Sequence, residues 1–350
     1  MSNDPNNVQL NGVFQDKINT STQSSNQSVP MDEEKPKTQS TNTHDESEAS
    51  FLATMSSAES INQMEPINTS NSIILNSSED IQISSTKDSE VIYSFSKEYY
   101  DEVYTNLLLD EKNFYEKIRL DYMAFQNNIN DKMRAILVDW LIDVHYRFNM
   151  KKKTLFNCIY IIDAFLSKFI ILRKDFQLLG MAALLISCKA NEIRYPSLQA
   201  FIALSDYSYS LEELTEMERK IIIILNFDIL APTAEEFYGI NADYFEFTEE
   251  QRFFGEYFLD IALIDYNLLK YKQSTIAVAC GYIVMKYFKL KDVHLLLDNT
   301  SKEVKRKDVK KCAKDLCFLM KNISNSSLVA TKNKYMSEKY MKVAKYCESK

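Results

Sequence analysis

The side chains that do covalent or metal chemistry are sparse and scattered in this 350-residue chain. Its six cysteines, Cys158, Cys188, Cys280, Cys312, Cys317 and Cys347, form no Cys-x-x-Cys pair and have only three dispersed histidines for company. That pattern offers no metal cluster and predicts reduced thiols inside helices rather than disulfides. Five glycines in total leave no phosphate-cradling loop, and no nucleophile triad is present. The sequence therefore predicts no catalytic residue, no metal and no cofactor. What remains is recognition by charged and apolar side chains.

The charges that most need a structural account lie in the stretch Met133 to Phe148. Met133, Ile136, Leu137, Trp140 and Val144 follow helical spacing, and so do Ala135, Val138, Leu141 and Ile142. A helix apolar on almost every side is wrapped by other helices or offers one face to a partner. Periodicity alone favours a central core helix. Arg134, Asp139, Asp143 and Arg147 then need partners wherever they are buried.

A hydrophobic content of 45% is enough to bury a sizeable core, in one large domain or two. No run of about eighteen apolar residues and no basic-then-apolar leader is present, so neither a membrane span nor secretion is expected. The net charge of −8 is unevenly spread. Residues 1–95 hold four Lys and no Arg against fourteen Asp plus Glu, a net of −10, which leaves about +2 for the rest. A near-neutral remainder argues against general nucleic-acid binding.

Residues 1–90 are rich in Asn, Ser, Thr and Gln and have only Phe14 and Phe51 as aromatics. Such a segment is expected to stay disordered, because it buries too little apolar surface to offset its chain entropy. Helical spacing starts after Phe95 with Tyr99, Tyr100, Val103, Tyr104, Leu107 and Leu108. Further helices are expected at 133–148, 154–168, 175–190, 197–205 and 211–227, then at 234–244, 249–264, 272–287, 292–297 and 301–321. Ser210/Glu213, Thr233/Glu236, Thr248/Gln251 and Thr300/Glu303 read as capping boxes. Pro196 and Pro232 fall in the joints. The Lys151–Lys153 run is expected only to complement a helix dipole, and the basic helix Lys302–Lys314 reads as a solvated face rather than a nuclear-import signal.

Met133-Arg-Ala-Ile-Leu-Val-Asp-Trp-Leu-Ile142 closely resembles the opening helix of the cyclin box in A- and B-type (mitotic) cyclins. The resemblance continues through Ile162-Asp-Ala-Phe-Leu-Ser167, Leu178 to Lys189, Glu192-Ile193 and Asn226-Phe-Asp-Ile-Leu-Ala-Pro-Thr233. It weakens in the second half, at Ala262-Leu-Ile-Asp265, Leu269-Lys-Tyr271, Ser274 to Ala277, Lys334-Tyr335 and Lys339-Tyr340. It implies an all-α fold of two tandem five-helix cyclin boxes behind an N-terminal helix and a disordered tail. The expected boundaries are 1–92 for the tail, 93–231 for the helix and first box, and 232–350 for the second box.

By this resemblance the protein is the activating, non-catalytic subunit of a cyclin-dependent serine/threonine kinase, in control of the cell cycle at G2/M, in nucleus and cytoplasm. No nucleic acid or membrane partner is implied. Arg134 and Asp163 correspond to a structural ion pair. Lys189, Glu218, Glu192 and Ile193 correspond to kinase-binding positions. Met133, Ile136, Leu137, Trp140, Asp143 and Gln177 correspond to an exposed patch that docks Arg-x-Leu motifs of substrates or inhibitors. Departures from the family pattern are Ala164 for Arg, Ala190 for Phe, and a tail with neither an Arg-x-x-Leu nor a Lys-Glu-Asn destruction signal. Two alternatives remain: a transcription-factor-type cyclin fold, and a cyclin-like scaffold that activates no kinase.

Overall fold

The computed structural model describes residues 97–116, 118–299, 304–323 and 326–348. The expected tail and the Thr300/Glu303 box lie outside these. All regular structure among the described residues is helical, and no described helix is long and apolar enough to cross a membrane.

Helix α1 (Tyr100–Tyr115) precedes a first unit of α2 (Asp131–Arg147), α3 (Lys152–Leu166), α4 (Phe176–Asn191), α5 (Leu198–Ala203) and α6 (Leu211–Leu225). A second unit repeats the plan with α7 (Ala234–Tyr244), α8 (Glu249–Ile264), α9 (Gln273–Tyr287), α10 (Val293–Asn299) and α11 (Arg306–Ile323). Two short helices follow, α12 (Ala330–Met336) and α13 (Lys345–Glu348), which the periodicity did not announce.

Local chemistry sets the boundaries. The Asn130 side chain caps α2 by accepting from the Met133 N–H at 2.9 Å. Ser210/Glu213 and Thr248/Gln251 form reciprocal capping boxes. Thr233/Glu236 forms a capping box as well, and there the Glu236 carboxylate accepts from both the N–H and the hydroxyl of Thr233. Cys158, Cys188, Cys280 and Cys312 are buried thiols, and burial pushes the Cys188 and Cys312 thiols up to about 12.

The centre of the first unit is α4, where every residue from Phe176 to Cys188 is buried, packed on α3 and α6. Helix α2 is not that centre. It packs on α3 and α4 on one side and on α8 and α12 of the second unit on the other. Its all-round apolarity is that of an interface helix between the two halves. Helix α1 docks on the second unit. Its Tyr100 hydroxyl donates to Asn241 Oδ1 at 2.7 Å, and its buried Glu111 accepts from the N–H and hydroxyl of Ser274, both at 2.8 Å.

Candidate functional site

The Arg134 guanidinium is fully buried and is the hub of the contact between the two units. Its Nε and Nη2 donate to Asp163 Oδ1 and Oδ2 at 2.8 and 2.7 Å, and the Tyr122 hydroxyl donates to the same Oδ1 at 2.7 Å. The remaining nitrogen, Nη1, donates to the Leu263 carbonyl at 2.9 Å, near the end of α8. Burial works against the Arg134 charge, but Asp163 beside it more than offsets this and holds the group protonated. A planar fork suits the position because it engages a carboxylate with two nitrogens and keeps one for the second unit. The pair therefore ties α2 to α3 and also ties the two units together.

Lys189 on the last turn of α4 and Glu218 on α6 stand on one surface. Lys189 Nζ lies 2.5 Å from Glu218 Oε1, with the lysine side chain 40% exposed and the glutamate 18%. Four residues on, Ile193 is 90% exposed. Phe227 and Ile223 add 73% and 57% exposure, and they line a shallow groove with Thr215, Glu218, Arg219 and Ile222. Large apolar side chains here are left in water beside an ion pair.

The sequence reading did not single out Phe227 and Ile223. A signal existed in the run Ile221-Ile-Ile-Ile-Leu225. Five consecutive apolar residues subtend more of a helix than one buried face takes, so one must point outward. Phe227 has φ of 62° directly after Asn226 at 52°. A bulky residue in the left-handed region costs about 1–2 kcal/mol, and such strain gathers where function holds it.

The Glu192 side chain is engaged within the fold. One carboxylate oxygen accepts from the Lys151 N–H at 2.7 Å and from the Thr154 hydroxyl at 2.5 Å, so the side chain is committed to the start of α3. The lysine run before it follows the end of α2 and also opens α3. Lys151–Lys153 sit at the N-terminus of α3, the wrong end for cations. They are held there by pairing: Lys152 with Glu256 at 2.5 Å and with the Tyr335 hydroxyl at 2.7 Å, and Lys153 with Glu236 at 2.7 Å. All three acceptors belong to the second unit. Beside them Lys334, fully buried, pairs with Asp260 at 2.6 Å.

The residues expected at the docking face lie mostly inward in this structure. Met133, Leu137, Trp140 and Gln177 are all buried, at 3%, 0%, 8% and 2% exposure. Leu137 sits directly on Gly180 of α4: a Cβ there would meet its Cδ1 at 2.8 Å. The absent side chain lets α2 and α4 approach closely, which carries the apolar row inward. Ile136 is half-buried, and the Asp143 carboxylate accepts from Arg147 Nε at 2.7 Å. Two polar groups in this row stand out. Trp140 Nε1 and both polar atoms of the Gln177 amide are buried with no hydrogen-bond partner among the described residues. Such groups are costly to leave unpaired.

Similar proteins agree with this architecture. Residues 102–230 match the family described as "Cyclin, N-terminal domain" and residues 235–349 that described as "Cyclin, C-terminal domain". The chain is 35% identical over 185 residues to Cyclin-B2-1 of Oryza sativa subsp. japonica, covering 53% of this chain and 44% of that one. It is 34% identical over 224 residues to G2/mitotic-specific cyclin-B of Hydra vulgaris, covering 64% and 62%. Against G2/mitotic-specific cyclin-B of Dictyostelium discoideum the identity is 32% over 251 residues, covering 71% and 56%. The chain thus spans about half the length of these relatives. The fold matches that of a viral cyclin from herpesvirus saimiri with a TM-score of 0.53 at 19% identity, covering 61% of this chain and 97% of the viral one. With two domain matches in tandem and the geometry of both helical units in place, the chain belongs to the cyclin family and is similar to its B-type, mitotic members.

Proposed function

We propose that the protein is the activating subunit of a cyclin-dependent serine/threonine kinase in control of the cell cycle at G2/M, present in nucleus and cytoplasm. The observation that carries the reading is the surface around Lys189 and Glu218. It combines one exposed ion pair with Ile193, Ile223 and Phe227 in solvent. A partner helix laid on it buries the three apolar side chains, while its backbone carbonyls and N–H groups meet the ammonium and the carboxylate. Holding the kinase's regulatory helix inward in this way, and ordering its activation loop, completes a phosphoryl-transfer site that the cyclin itself does not contain. Ala190 presents little contact area here, so Ile193, Tyr195 and Phe227 carry the apolar part.

Docking of Arg-x-Leu motifs belongs to the same proposal in an altered form. The unpaired Trp140 Nε1 and Gln177 amide supply a donor and a donor–acceptor pair for an extended peptide backbone. The apolar row beneath them is seated in the fold and not spread on its surface.

The test is affinity capture with a panel of cyclin-dependent kinases, followed by phosphorylation of histone by the captured complex. A cognate kinase bound and activated by the parent chain, and lost on Phe227→Ala, supports the reading. Capture without activation returns the protein to the scaffold alternative.

A further inference from the structure

Helix α11 has two contrasting faces. Val309, Cys312, Ala313, Leu316 and Met320 are buried. Opposite them Lys307, Lys310, Lys311, Lys314 and then Phe318 fall within about 100° of helix circumference at 100° per residue. All five are exposed, Phe318 at 67%. The neighbouring carboxylates are already engaged or lie to one side: Asp315 takes Lys270 at 2.9 Å and the Tyr271 hydroxyl at 2.8 Å, and Asp298 takes Arg306. None of the four stripe lysines has an ion-pair partner among the described residues. Like charges three and four residues apart oppose the helix that displays them. Asp308 and Asp315 on the same helix offset only part of that repulsion, Asp315 drawing on Lys311 from four residues away.

We propose that this stripe is a docking surface for an acidic peptide segment of a partner protein, one with an apolar side chain beside its carboxylates to lie on Phe318. The stripe from Lys307 to Phe318 is about 16 Å long at 1.5 Å per residue, which matches about five residues of extended peptide. Charge complementarity selects an anion, and the aromatic ring at one end selects a ligand with an apolar group. An anionic membrane fits less well, because the apolar face of α11 is spent on the core and Phe318 alone remains to insert. Nucleic acid fits less well because the folded part carries only about +2 overall and the stripe contains no arginine. The surface is separate from the one assigned to the kinase and rests on none of that reading.

The probe is a fluorescein-labelled peptide Glu-Asp-Glu-Asp-Leu, with its Lys-for-acid counterpart as control, titrated with the full chain by anisotropy. The acidic peptide is expected to bind in a salt-sensitive way and the control not at all. Lys310→Glu combined with Lys314→Glu should weaken binding roughly tenfold, with melting equal to or slightly above the parent because like-charge pairs on the helix are relieved, and Phe318→Ala should weaken it a few-fold with melting unchanged because the ring is exposed. Equal affinity in parent and variants overturns the proposal. So does preferential binding of duplex DNA or of phosphatidylserine vesicles over the peptide. Tighter peptide binding after Asp45→Asn, Glu46→Gln and Glu48→Gln in the full chain also overturns it, by showing that the chain's own acidic segment is the occupant.

Discussion

Lys189 and Glu218, on different helices, are held 2.5 Å apart in the uncomplexed chain. The two charges act as one unit, already oriented, and a partner meets them as a pair. An exposed pair of this kind contributes about 0.2–1 kcal/mol to stability. Lys189→Ala and Glu218→Ala should therefore melt within a few degrees of the parent. In a kinase complex, truncating one member of a desolvated pair costs about 2–5 kcal/mol, so binding should weaken at least about tenfold for each. Calorimetric titration and melting of the same samples separate the two effects. Variants that bind as tightly as the parent return both residues to ordinary helix charges.

Arg134→Ala is the contrasting case. Removing the guanidinium leaves Asp163 and the Leu263 carbonyl buried without their partner. Breaking a buried pair from one side costs about 3–5 kcal/mol, or about 6–20 °C of melting temperature for a chain of this size. Scanning calorimetry should show the loss in both units together, because the same side chain joins them. Melting like that of Lys189→Ala would mean the pair is not structural.

Phe227→Gly should divide stability from function. Glycine adopts the left-handed backbone at this position without the cost a bulky side chain incurs. The expected result is a melting temperature equal to or above the parent, alongside weaker kinase binding. A destabilised Phe227→Gly would place the ring in the core rather than at an interface.

The buried, unpaired Gln177 amide supplies a cleaner docking test than truncating Met133 or Trp140, whose loss costs about 2–5 kcal/mol of core packing. Gln177→Leu removes two unsatisfied polar atoms at nearly constant volume, so stability should hold or rise. Affinity for an Arg-x-Leu peptide, read by anisotropy, should fall. Unchanged affinity rules the amide out of docking.

Asp139 on α2 accepts from the Ala330 N–H at 3.1 Å and so fastens α12 to the first unit. Burial pushes its carboxyl up to about 7, against the pull of that N–H and with help from Asp143. A native pKa above the unfolded one means that stability is complete below about 4 and is lost as pH rises through 7. Asn keeps the acceptor and never ionises. Asp139→Asn should therefore be more stable than the parent near pH 8, by ~1 kcal/mol or more, and indistinguishable from it near pH 4. Comparing variant with parent at each pH cancels other titrations, such as that of His145, whose burial lowers it to about 3. A difference independent of pH contradicts the assignment.

The sequence by itself determined what depends on neighbours along the chain. Apolar spacing and capping residues placed the helices to within a few residues, because periodicity and the N-terminal N–H groups of a helix are satisfied locally. The two exceptions, α12 and α13, are short and take their stability from packing, Ala330 being held by Asp139 across 191 positions. Arg134 and Asp163 were legible as partners through the resemblance, yet the third arm of Arg134 to Leu263 was not, since nothing in the local sequence of α8 marks a carbonyl as an acceptor. Tertiary structure alone decided which face of each helix sees water. It turned Met133, Leu137 and Trp140 inward over Gly180, drew Glu192 and the Lys151–Lys153 run into contacts that hold α3 and join the units, and left Ile193, Ile223 and Phe227 outside. The physical reason is that burial is a property of the surface formed by all the helices together. An apolar side chain carries the same hydrophobic tendency wherever it stands, and only the packing of remote segments settles which ones are covered and which remain for a partner.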